Sequence, residues 1–170
     1  MKEISLEQIA MANRTVRAWK KTVTSRAVED YITPESKVLD FGAGNKAVQT
    51  FILRDKGYNV TAYDFGNNAI KGIHDPDALK KKYDVIFASN VLNVQSSIDM
   101  FDITLNQIKE AMSQDTIFIA NYTKNPRYLE RMTGEKWGGK RVVDEILSQH
   151  FSVIERIYDS PDKPVLFMKI

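Results

Sequence analysis

Two short apolar runs, each ended by a loop signature, constrain the fold of this chain more than any other feature. Ser36-Lys37-Val38-Leu39-Asp40-Phe41 runs into the turn Gly42-Ala43-Gly44, and Val60-Thr61-Ala62-Tyr63 ends at Asp64, 22 residues after Gly42. Between them, Asn45 to Lys56 has helical character and Gly57 is placed to cap it. Strand, glycine turn, helix and strand make a β-α-β unit, whose two strands must be parallel. Gly42-Ala43-Gly44-Asn45-Lys46-Ala47 satisfies the loose pattern G-x-G-x-x-[GA], with backbone N–H groups exposed at the start of a helix. A carboxylate ending the next strand can accept hydrogen bonds from both hydroxyls of a ribose.

The rest of the chain extends the alternation. Tyr83 to Ala88 is an almost continuous apolar run, as in the buried centre of a parallel sheet. Ile98, Phe101, Leu105, Ile108 and Met112 recur at helical spacing, predicting a helix over 96–113, and Thr116 to Tyr122 is the next strand. A glycine-rich basic stretch then leads to a helix from about Arg141 to Gln149. Phe151 to Tyr158 and Val165 to Ile170 are separated by too few residues for a parallel crossover and form an antiparallel hairpin. At the other end, Ile9, Ala12, Val16, Trp19 and Val23 make one apolar seam, predicting a helix over residues 5–31 that Thr33-Pro34 stops. Asn67 to Lys82 reads only as turns, with Pro76 to Leu79 a short turn or helix.

The expected class is therefore α/β, a Rossmann-like doubly wound, mostly parallel sheet with an antiparallel C-terminal edge hairpin. With 170 residues there is room for one domain, residues 36–170, under an N-terminal helical cap of residues 1–33. The net charge of +2 gives no overall pull toward nucleic acid or anionic membrane, and no segment has the length of a membrane span or signal peptide. The chain reads as a cytoplasmic protein with no membrane partner. It contains no cysteine, which excludes thiolate metal sites and cysteine nucleophiles, including the covalent route to 5-methylcytosine. His74 and His150 are isolated in the sequence, read as surface side chains, and suggest no metal site.

The glycine turn alone also suits a dinucleotide. Asp40, two residues before Gly42, would repel a pyrophosphate there, whereas it suits a ligand carrying an ammonium and a sulfonium. At these residues the chain resembles the class I S-adenosylmethionine-dependent methyltransferases. Val38 to Gly44 looks like their first motif, Val60 to Asp64 like the second, and Tyr83 to Val94 like the fourth. The resemblance implies S-adenosylmethionine as cofactor, with Asp40, Gly42 and Gly44 at its methionine part and Asp64 on the ribose. It implies Phe65 on the adenine face and Asp77 at the adenine amino group, with Asp75 competing for that contact. Asn45 and Lys46 stand where the family often has a third glycine.

Asn90, at the end of the third strand in chain order, is the candidate catalytic residue, placed to orient a substrate amine or hydroxyl. The Val91-Leu92-Asn93 that follows lacks the two prolines and aromatic residue typical of nucleic-acid amino methyltransferases, and Asn93 reads equally well as a helix cap. Residues 124–141 carry net +4 with Tyr128 and Trp137, a candidate nucleic-acid contact or a solvated loop packed through its tryptophan. The expected activity is methyl transfer to a nitrogen or oxygen of a small molecule or a nucleic acid. The alternative is a protein that binds S-adenosylmethionine without transferring its methyl group.

Overall fold

The structure is a computed structural model and describes Leu6 and residues 20–121, 126–135, 139–158 and 164–170. Six strands form one sheet: β1 (Lys37–Phe41), β2 (Asn59–Tyr63), β3 (Tyr83–Ala88), β4 (Met112–Asn121), β5 (Val153–Tyr158) and β6 (Val165–Lys169). Their order is β2-β1-β3-β4-β6-β5. β1 to β4 are mutually parallel, β6 runs antiparallel to β4, and β5 pairs antiparallel with β6. This is the mostly parallel sheet with a C-terminal hairpin that the sequence predicts. Among the described residues the α-helices with defined ends are α1 (Val23–Val28), α2 (Val48–Asp55), α3 (Ile98–Glu110), α4 (Pro126–Thr133) and α5 (Gly139–His150).

The central strands are apolar on both faces because both faces are covered. On one face Leu39, Ile86, Ala88, Phe118 and Ala120 pack with Phe101, Leu105 and Ile108 of α3 and Val143 and Leu147 of α5. On the other, Val38, Val85, Phe87 and Ile119 pack with Ala27 and Val28 of α1 and Leu53 of α2. Successive residues of a strand go to opposite faces, so a continuous apolar run serves two cores at once. Asp40 falls on the α1–α2 face by the same alternation. The chain runs outward from β1 to β2 and then crosses back to β3 on the other side of β1, a switch in strand order that opens a crevice beside β1.

Three expectations change. The helix predicted over 5–31 lies partly outside the described residues, and within them it is not continuous. Lys20 to Thr22 are non-helical, and Thr22 starts α1 afresh, its hydroxyl accepting from Ser25 N–H. Apolar spacing survives such a break, whereas a capping hydroxyl marks it. Second, the stretch before Arg141 is not a loop throughout: α4 occupies Pro126–Thr133 and buries Leu129 and Met132. Lys124, Lys136 and Trp137, and the side chains of Arg127, Tyr128 and Lys140, lie outside what the structure describes. Third, both histidines are buried rather than at the surface. His150 meets Asp102 Oδ1 at 2.7 Å and so joins α5 to α3.

Residues 66–82 form turns, including single 3-10 turns at Gly66–Asn68 and Ala78–Lys80, and pair with β2 through the isolated bridge Ala62–His74 rather than as a strand. β2 is therefore an edge strand. Arg54 Nε donates to Val60 O at 2.7 Å and occupies one of its edge carbonyls.

Candidate functional site

The loops that follow β1, β2 and β3 gather at the C-terminal edge of the parallel strands, where open α/β sheets bind ligands. The glycine turn is shaped by backbone constraints. Gly42 and Gly44 have φ of 74° and 73°, conformations that a side chain disfavours. At Gly42 a Cβ would stand 2.5 Å from Val91 Cγ2, so the loop after β3 closes directly on the turn. At Gly44 a Cβ would meet nothing within 4 Å, so the backbone there borders open space. Ala47 takes the third left-handed position of the pattern with φ 44° and begins α2.

Hydrogen bonds join this turn to the end of β2. Gly42 N–H and Ala43 N–H both donate to Tyr63 O, at 2.9 and 3.0 Å. Asp64 accepts from Gly44 N–H at Oδ2 (2.7 Å) and from Phe65 N–H at Oδ1 (2.8 Å). Burial pushes the Asp64 carboxyl above its ordinary range, while these two N–H groups favour its charged form. The two features picked out by spacing, Gly44 and Asp64, are thus in direct contact. The Asn68 side chain also hydrogen-bonds this carboxylate, which leaves it acceptor capacity for one further donor.

His74 completes the clamp, and sequence reading missed it. Its Nδ1 accepts from Ile70 N–H at 3.0 Å. Its Nε2 therefore carries the proton and donates to Gly44 O at 2.9 Å. Nothing in the spacing marks a contact across 30 residues. The signal available is that residues 66–82 cannot form a strand, so some side chain must tie them to the turn.

Asp40 sits elsewhere than at an open ligand surface. It is 1% exposed, and Thr50 Oγ1 of α2 donates to its Oδ2 at 2.8 Å. Burial pushes its carboxyl up to about 7, the Thr50 hydrogen bond works against this, and the charge of Asp64 adds to it. Phe65 is buried, its ring against that of Tyr63 with centroids 6.3 Å apart. Asp77 is 59% exposed and pairs with Lys80. Asp75 is better anchored: its N–H donates to Ala62 O, its Oδ1 accepts from Asp77 N–H, and its Oδ2 meets Lys81. The Lys81 ammonium holds the Asp75 carboxyl below its ordinary range.

At the end of β3, Asn90 is half-buried with φ 59°, a left-handed conformation that asparagine tolerates. Its N–H donates to Asn121 Oδ1 (2.5 Å), and its Oδ1 accepts from Asn121 Nδ2 (2.9 Å). Thr24 Oγ1 of α1 also donates to Asn121 Oδ1, at 3.0 Å. Ser89 Oγ donates to Thr22 Oγ1 at 2.8 Å, and Thr22 N–H and Ser25 Oγ donate to Gln49 Oε1. A polar seam thus runs from α2 under α1 to Asn90. Asn93 lies in the single turn Leu92–Val94, and its Oδ1, like Asn45 Oδ1 in the glycine turn, is buried without a hydrogen-bond partner among the described residues. Among the described residues no cluster of histidines and carboxylates could hold a metal ion, and no helix is long and apolar enough to cross a membrane.

Comparison with known proteins gives the same architecture. No curated protein matches in sequence. Among solved structures, an S-adenosylmethionine-dependent methyltransferase from Bacteroides fragilis, in complex with S-adenosylhomocysteine, superposes with a TM-score of 0.62 at 12% identity. The match covers 89% of this chain and 78% of that one. The glycopeptide N-methyltransferase MtfA, complexed with sinefungin, gives 0.60 at 15% identity over 89% and 95% of the two chains. A 16S rRNA methyltransferase from T. Thermophilus gives 0.59 at 16% identity, over 89% of this chain and 44% of that one. The family model described as "Methyltransferase domain" matches residues 11–156. The chain belongs to that methyltransferase-domain family and is a class I methyltransferase.

Proposed function

We propose that the chain binds S-adenosylmethionine against the glycine turn and transfers its methyl group to a nitrogen or oxygen of a small molecule or a nucleic acid. The observation that carries the reading is the Asp64–Gly44 contact. It holds a carboxylate with acceptor capacity remaining beside a stretch of backbone that borders open space, the arrangement a ribose and the chain attached to it require. Two buried, unpartnered amide oxygens at the same edge, those of Asn45 and Asn93, can each accept from an ammonium.

When bound, the cofactor supplies a methyl carbon made electrophilic by a sulfonium. This chain's own residues bind and orient. Asp64 holds the ribose, Phe65 gives an apolar wall to the adenine, and the anchored Asp75, rather than the solvent-facing Asp77, meets its amino group. Asp40 acts from beneath the turn, behind Gly42, where its carboxyl is held by Thr50. Asn90 orients the methyl acceptor. Much of such a reaction's acceleration is available from placing the reacting atoms at near-attack distance, so no universal base is needed.

The residues that fix the cofactor do not fix the acceptor. The related folds act on targets as different as a glycopeptide and a ribosomal RNA. Transfer of a labelled methyl group to DNA, RNA and a cell metabolite extract separates the classes. Label in any one of them supports transferase activity and names its class, and label in none contradicts the reading.

A further inference from the structure

The Asn90–Asn121 pair determines which atoms of Asn90 remain to meet a substrate. Asn121 is buried at the end of β4, and its Oδ1 accepts from the backbone N–H of Asn90. A backbone N–H only donates, so the oxygen and nitrogen of the Asn121 amide cannot be interchanged. The Nδ2 of Asn121 then lies toward the Asn90 side chain. Because Nδ2 also only donates, the atom it meets at 2.9 Å is Asn90 Oδ1. One fixed amide orients the next. The Asn90 carbonyl is held by protein, while its Nδ2, with two N–H donors, has no partner among the described residues.

We infer that Asn121 is a positioning residue that turns Asn90 into a hydrogen-bond donor toward the methyl acceptor, and that the acceptor atom is an ionised oxygen, of a carboxylate or an acidic phenol. The inference rests on the reading of Asn90 as the residue beside the acceptor. An amine nitrogen has a single lone pair, and a donor bonded to it would block the attack. An ionised oxygen has several lone pairs, so one can take the Asn90 N–H while another attacks. The side chains tied to Asn90 here, Asn121 and through it Thr24, are an amide and a hydroxyl, neither of them a base. An acceptor that arrives ionised needs none. The oxygen forms its bond to the methyl carbon as the carbon–sulfur bond breaks, and the electron pair leaves with the sulfur, giving a methyl ester or aryl ether and a neutral thioether.

The test has two readouts on the full chain. In nitrogen-15 spectra the side-chain amide protons of Asn121 should exchange with water at least about 10-fold more slowly than those of Asn90, since only the former are bonded to protein. Equal rates, or the reverse order, overturn the inference. Second, labelled products from a metabolite extract are divided into neutral O-methyl and basic N-methyl fractions. The wild type should label the neutral fraction. Asn90→Asp keeps the bond to Asn121 but replaces the donor with an anion, and should lower that labelling about 100-fold. Asn121→Asp presents a second acceptor to the Asn90 carbonyl, turns the amide round, and should lower it at least about 10-fold with unchanged melting temperature. Label in the basic fraction, or full activity in both variants, overturns the inference while leaving the transferase reading intact. Label in neither fraction, with donor binding retained, overturns the inference, and transfer to DNA and RNA then decides the transferase reading.

Discussion

His74 and Gly44 are joined by one hydrogen bond, from the protonated Nε2 to the backbone carbonyl at 2.9 Å, with the opposite ring nitrogen held by Ile70 N–H. The same Gly44 donates its own N–H to Asp64. The glycine turn is thus gripped on both faces of one peptide residue by two side chains from beyond β2. His74→Ala should weaken S-adenosylmethionine binding by about 1–2 kcal/mol, roughly 5- to 30-fold, since it leaves the Ile70 N–H without its partner and releases the carbonyl. His74→Gln, which can still donate, should recover part of the loss. Calorimetric titration of both variants checks this, and an unchanged affinity for His74→Ala would show that the turn holds its shape without it.

Glycine substitutions should separate packing from ligand access. Gly42→Ala drives a methyl group into Val91 at a backbone angle that disfavours it, and should lower stability by about 2–4 kcal/mol. Gly44→Ala meets no atom, so only the backbone angle, worth about 1–2 kcal/mol, acts on stability. Its methyl group instead fills the space proposed for the donor and should reduce donor binding at least about 10-fold in the fraction that stays folded. Urea unfolding and calorimetry on the pair check the contrast.

Asp40 gives the fold a dependence on pH with a definite sign. Its carboxyl is raised from 3.8 to about 7 by burial, so between those values the folded chain binds more protons than the unfolded chain. The contribution is fully present below pH 4 and is lost as pH rises through about 7, by on the order of 4 kcal/mol at most, at about 1.4 kcal/mol per unit. Asp40→Asn keeps an acceptor for Thr50 and removes the titration. It should unfold at a higher urea concentration than wild type at pH 8, with the difference shrinking toward pH 4. A difference that grew toward pH 4 would contradict the assignment.

The polar seam predicts a structural rather than a binding phenotype at Gln49. Its Oε1 accepts from Thr22 N–H and Ser25 Oγ, and its Nε2 donates to Lys20 O at 2.9 Å. Gln49→Ala should cost about 2–3 kcal/mol, because buried donors lose their partner, and should loosen residues 20–25 first. Hydrogen exchange of the α1 amides reads this directly.

What could be read from the sequence follows from where each signal lies along the chain. β1, β3 and β4 are buried on both faces, so their apolar runs are unambiguous, and the strand hairpin follows from a loop too short for any other connection. Gly44 and Asp64 are connected by a fixed architecture, and their spacing alone brings them together. The His74–Gly44 contact joins residues 30 apart through turns whose path no periodicity sets, whereas Asn90 and Asn121 meet because they lie at the ends of the neighbouring parallel strands β3 and β4, a pairing that strand order and not local pattern decides. α4 had a local signal in Pro126 at its first position with Leu129 and Met132 three apart, masked by the surrounding glycines and charges. The break before α1 had one too, in the hydroxyl of Thr22.

Asp64 carries the central claim, and calorimetry of the full chain with S-adenosylmethionine and NAD, on wild type and Asp64→Ala, tests it most directly. Wild type should bind the methyl donor and not the dinucleotide, and Asp64→Ala should weaken the donor by about 1.5–3 kcal/mol, since charge-assisted hydrogen bonds are lost. Binding of NAD with none of S-adenosylmethionine, or an affinity untouched by Asp64→Ala, would contradict the account.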